Sequence, residues 1–123
     1  MRRLALVFAF SMLSLPVLAQ KPDHGGAWWR EKSAVYKEAY ISGYKTGSHH
    51  QAGQNTPLSK FGAKELVDGL NKFYADFRNR NISINDSLFY VADQLSGVPD
   101  EKLNAEILQM RAAAIGTPAP EDQ

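Results

Sequence analysis

The sequence predicts an all-α fold, a small bundle of about four helices that follows a cleaved signal peptide. Three observations lead there. Over residues 63–97 the apolar side chains recur at the helical period. Residues that start and stop helices punctuate the chain between such stripes. The nearest approach to strand alternation, residues 81–84, is too short to pair. With 123 residues, 44% of them hydrophobic, there is room for one domain with a core of its own.

Residues 1–19 precede the fold. Arg2 and Arg3 give a positive start, residues 4–15 are apolar apart from Ser11 and Ser14, and Pro16 leads into Val17, Leu18 and Ala19. This is the layout of a secretory signal peptide cut after Ala19. The apolar run falls short of the ~20 residues a bilayer requires, so no integral membrane segment is expected after cleavage. The expected location is the periplasm or the medium. Loss of Arg2 and Arg3 moves the formal charge from +1 to −1. A nucleic-acid partner, which demands a concentrated basic surface, is therefore not expected. The chain has no cysteine, which excludes disulfides, thiolate catalysis and thiolate zinc sites.

Residues 20–27 (QKPDHGGA) carry Pro22, Gly25 and Gly26 and read as a flexible leader, with the helical domain over 28–115. The first helix places Trp29, Tyr36, Tyr40, Gly43, Tyr44 and Gly47 at steps of three, four or seven, starting between residues 29 and 33. Gly43 and Gly47 each weaken a helix by about 1 kcal/mol relative to Ala. Their expected role, with Tyr44 between them, is a helix-packing motif in which a neighbour approaches where a Cβ would stand. Residues 48–59 are polar and read as a loop. The central helix then turns Leu66, Val67, Leu70, Phe73, Tyr74 and Phe77 inward and leaves Glu65, Asp68, Asn71, Lys72 and Asp76 for water, ending near residues 78–81. Ser83 is an N-cap with Asp86 in the first turn. Ile84, Leu88, Val91, Ala92 and Leu95 form the next stripe, and Gly97 is a left-handed terminator. Pro99, Asp100 and Glu101 open a last helix striped by Leu103, Ile107, Met110 and Ala114, and residues 116–123 read as a disordered tail.

Chemistry is sparse. His49 and His50 are adjacent and diverge on any regular element, and His24 stands apart, so neither a metal nor another cofactor is expected. The carboxylates fall on polar faces, GYKTG at 43–47 is not a phosphate loop, and no nucleophile elbow is present. An enzyme is not expected. The candidate interaction surface is Trp28, Tyr74, Arg78, Asn79 and Arg80, because aromatic and guanidinium groups are favoured at protein interfaces. The plainer alternative has Arg78 and Arg80 complementing a negative helix end. In that alternative one of Trp28 and Trp29 closes the core while the other lies half exposed.

The signal peptide, YISGYKTG at 40–47, FGAKELVDGLNKFYADF at 61–77 and ISINDSLFYVADQL at 82–95 together resemble the small helical immunity proteins directed against type VI secretion amidases, the Rap/Tai group. The resemblance implies an all-helical periplasmic protein that pairs as a homodimer and blocks an effector's catalytic cleft. Members commonly carry a disulfide, and this chain has no cysteine. Gly43, Tyr44 and Gly47 match residue for residue, with an implied architectural role, and no effector-contacting residue carries over. The expected function is thus that of an exported, non-enzymatic protein that binds a partner protein in an inhibitor-like manner. The alternative is a helical small-molecule or envelope-associated module, motivated by the aromatic load.

Overall fold

The computed structural model describes residues 24–52 and 57–116, with residues 49–52 described for backbone only. Lys32 has an extended backbone (φ −83°, ψ 143°), so the first expected helix is two: α1 (Gly26–Glu31) and α2 (Ala34–Ala52). Ser33 restarts the chain, its Oγ accepting a hydrogen bond from the Tyr36 N–H at 3.2 Å. A 3₁₀ turn, Pro57–Lys60, buries Leu58 and leads to α3 (Ala63–Ala75). Then follow α4 (Ile84–Leu95) and α5 (Asp100–Gly116). The described residues contain no strand, and the chain is an all-α bundle.

The apolar stripes explain the packing. α3 is central: Leu66, Val67, Leu70, Phe73 and Tyr74 are buried, and the helix packs against α1, α2 and α4. α4 turns Ile84, Leu88, Val91 and Ala92 inward, and α5 covers it with Leu103, Ile107 and Ala114. α2 contributes Ile41, fully buried, with Tyr40 and Tyr44 partly buried beside it. Local chemistry sets the element ends. Ser83 Oγ accepts from the Asp86 N–H at 3.2 Å to start α4. Gly97, at φ +82°, closes it: its N–H reaches the Gln94 carbonyl and the Val98 N–H reaches that of Asp93. That pair of bonds is a Schellman motif.

Several expectations need correction. The leader ends earlier than expected, since Gly26 is buried at the start of α1 and donates its N–H to the Arg80 carbonyl at 2.8 Å. The Ile84 N–H in turn donates to the His24 carbonyl at 2.8 Å. The helix also persists to residue 52, inside the expected loop. Phe77 is not on the α3 face, because Asp76 turns the backbone extended (φ −79°, ψ 113°) and the helical period stops there. Leu95, in the last turn of α4, is half exposed. The expected signal peptide and the tail beyond Gly116 lie outside the described residues.

The glycine reading also changes. A Cβ at Gly43 or Gly47 meets nothing within 4 Å among the described residues, so neither mediates close packing there. Tyr44 does bridge helices, its hydroxyl donating to Asn85 Oδ1. The close approaches occur at Gly69 and Gly26. A Cβ at Gly69 would overlap Cγ1 of Val91, and one at Gly26 would stand 2.5 Å from Tyr74 Cδ1 and 3.0 Å from Arg80 Cα.

Gly69→Ala should therefore destabilise by about 1–3 kcal/mol through overpacking against a stiff buried valine. Gly43→Ala should stabilise by up to about 1 kcal/mol, since it gains helix propensity in open space. Urea melts of the two variants beside the parent chain read both signs. Leu70→Ala should cost about 2–5 kcal/mol, and Lys72→Ala little.

Candidate interaction surface

The five sequence-selected residues divide when placed in the fold. Trp28 (6% exposed), Tyr74 (1%) and Asn79 (4%) are core residues and cannot form a contact surface, whereas Arg78 is exposed and Arg80 partly so. Trp28 and Trp29 are both buried, against the expectation of one half-exposed ring. His24 stacks on Trp28 at 3.9 Å between centroids and 3° between planes, and Tyr36 and Tyr40 meet the Trp28 ring edge-on. The indole N–H of Trp29 donates to Asn71 Oδ1 at 2.9 Å, and the Lys37 ammonium donates to the same oxygen at 3.0 Å. Asn71, which the period assigned to water, thus satisfies a buried donor.

Tyr74 explains why a corner forms after α3. Its hydroxyl donates to the Ile82 carbonyl at 2.7 Å. Ser87 Oγ lies 2.9 Å from the Tyr74 oxygen and 2.7 Å from the Ser83 carbonyl, so its one proton is shared between them. The Tyr74 carbonyl, at the end of α3, accepts from the Arg30 guanidinium of α1. Asn79 supplies the other anchor. Its Nδ2 donates to the Phe73 carbonyl at 2.8 Å, and its Oδ1 accepts from Arg111 Nε of α5 at 2.8 Å.

Between these anchors runs a 3₁₀ turn, Phe77–Asn79, capped by Asp76 Oδ1 accepting from the Arg78 N–H at 3.0 Å. Asp76 Oδ2 also receives Arg78 Nη2 at 2.6 Å and Arg111 Nη2 at 3.1 Å. The hydrogen bonds from the Arg78 side chain, then that from its backbone N–H, hold the Asp76 carboxyl well below its ordinary 3.8. The same turn carries Phe77 outward at 64% exposure, with the Arg80 guanidinium carbon 4.6 Å from its ring centroid. Ile115, in the last turn of α5, is 83% exposed. Phe77, Ala114 and Ile115 with Arg78, Arg80 and Arg111 line a groove of about 410 Å³.

On the other side of Asp76 and Arg111 is a cleft of about 470 Å³, walled by α3, α4 and α5 through Lys72, Phe73, Tyr90, Asn104 and Leu108 among others. Neither opening is lined by Trp28, Trp29, Tyr36, Tyr40, Tyr44 or Tyr74. Among the described residues no three His, Asp or Glu side chains are grouped to hold a metal ion, and no helix is long and apolar enough to cross a membrane. The side chains of His49 and His50 lie outside the description.

Phe77, Arg111 and Ile115 were missed by sequence reasoning. A signal for the first was present: Asp76 stands two residues before Arg78, the spacing at which an aspartate caps its own backbone and ends a helix. Comparisons with protein-family models, curated proteins and solved structures returned no match.

Two outcomes follow for the corner. A lowered folded-state value means the ionised Asp76 carboxylate stabilises the fold above the unfolded value of 3.8. That contribution is lost as pH falls through the folded value. The stability gap between the parent chain and Asp76→Asn, which keeps an oxygen acceptor without the charge, should be constant near neutrality and close as pH falls below the unfolded value of 3.8. Chemical denaturation at stepped pH reads it. Arg111→Ala should destabilise by about 1–3 kcal/mol, because it removes the partner of a buried Asn79 oxygen.

Proposed function

We propose that this is an exported, non-enzymatic protein that binds a partner protein through the corner at residues 77–81 and the last turn of α5. The observation that carries the reading is Phe77. A large aromatic residue stands 64% exposed on a turn held from both sides by buried Tyr74 and Asn79. Exposed aromatics beside arginine are what interfaces use as anchors, and a turn already ordered loses little entropy when it binds. Arg78, Arg80 and Ile115 complete the contact. The resemblance to the amidase immunity proteins supports an inhibitor-like form of this reading, in which the corner occupies an effector's cleft. The amino-terminal sequence supports export.

The test is affinity capture from an envelope extract, using the parent chain and a Phe77→Ala/Ile115→Ala variant as baits. The parent should retain a protein that the variant loses about tenfold or more, since truncating an interface anchor costs about 1–2 kcal/mol or more. Both side chains are exposed, so the melting temperature should hardly move. Equal capture by the two baits would refute the reading.

A further inference from the structure

This inference rests on the reading above and concerns what occupies the same groove when no partner is there. Phe77 and Ile115 are its two large apolar side chains, 64% and 83% exposed, and Ala114 adds an apolar floor. Ile115 is also the next-to-last residue of α5, which runs to Gly116. The chain therefore leaves the helix at the rim of the groove. The residues that come next are Thr117, Pro118, Ala119 and Pro120. In the polyproline form a chain advances about 3.1 Å per residue, so these four span about 12 Å. Such a segment has no apolar stripe with which to bury itself, and the groove offers one.

We infer that residues 117–120 fold back into the groove as a strap, with Pro118 and Pro120 against Phe77 and Ile115, and that a partner protein must displace it. Three physical reasons favour this occupant. Proline has no N–H, so packing it on an apolar wall strands no donor. The polyproline form is already ordered, and aromatic-lined grooves bind it at low entropic cost. The strap is tethered directly to the groove, and a short tether gives a millimolar effective concentration that populates even a weak contact. A second copy of the chain fits less well. Two exposed apolar side chains fall short of the ~1,000 Å² that a stable interface buries.

The experiment compares the parent chain with a form ending at Gly116. In NMR spectra of the parent, Pro118 or Pro120 protons should show Overhauser contacts to the Phe77 ring. The shortened form should shift the Phe77 and Ile115 signals and leave those of buried Leu66, on α3, in place. As a bait for envelope extract it should bind the captured protein about threefold or more tightly, because no fraction of its groove is covered. Pro118→Gly/Pro120→Gly, which keeps the length, should act in the same direction. Absent contacts together with unmoved Phe77 and Ile115 signals would overturn the inference. Contacts that form only between differently labelled copies would also overturn it, giving the groove to a second chain. Weaker or equal capture by the shortened form would overturn displacement by a partner. If the contacts are absent while Phe77→Ala/Ile115→Ala still loses the captured protein, the strap falls and the binding surface stands. If the contacts are present while that variant and the parent capture equally, the partner reading falls and takes displacement with it.

Discussion

Tyr74 holds the molecule together at the point where α1, α3 and α4 meet. Its ring lies against Gly26, its hydroxyl donates to the Ile82 carbonyl, and its own carbonyl takes the Arg30 guanidinium. A buried hydroxyl with no acceptor is costly, so the ring can occupy this site only where the chain delivers a carbonyl to it. The corner after α3 performs that delivery. The amino-terminal segment is fixed to the same corner by backbone bonds, Gly26 to Arg80 and His24 to Ile84. Gly26 must lack a side chain there, since the Tyr74 ring and the Arg80 backbone fill the space a Cβ would take.

The exposed surface follows from this buried arrangement. Asp76 ends α3 by turning extended and capping the Arg78 N–H, and from there the chain leaves the core face. Asn79 returns to the interior to pair with the Phe73 carbonyl and with Arg111. Two inward anchors, Tyr74 and Asn79, leave Phe77 and Arg78 between them with nowhere to point except outward. The residue types typical of an interface are therefore presented by a turn whose own hydrogen bonds are already satisfied. That preorganisation is what makes an exposed aromatic on a turn useful for binding.

Much of the fold was legible from the residues. Apart from Phe77 and Leu95, the stripes of α3, α4 and α5 are where the helical period placed them, and Ser83 and Gly97 start and end α4 through their own local chemistry. Other features were not. The break at Lys32 has no glycine or proline to announce it. Gly43 and Gly47 suggested close packing by their spacing, whereas the close contacts fall on Gly26 and Gly69, which no pattern singled out. Of the candidate surface, Arg78 and Arg80 lie at the groove, while Trp28, Tyr74 and Asn79 went inside.

The sequence alone determined the all-α class, the inward faces of three helices and two of their ends, because periodicity and capping act over a few residues and are written locally. Tertiary structure decided which polar side chains serve distant partners and which aromatics are exposed. Asn71 serves the indole of Trp29, Asn79 serves Arg111, and Phe77 faces outward although it continues the α3 period. The reason is that some of these polar groups meet partners 32 or more residues distant, as with Arg111 and Asn79 or Trp29 and Asn71. No local pattern encodes such a meeting, which exists only once the helices have packed.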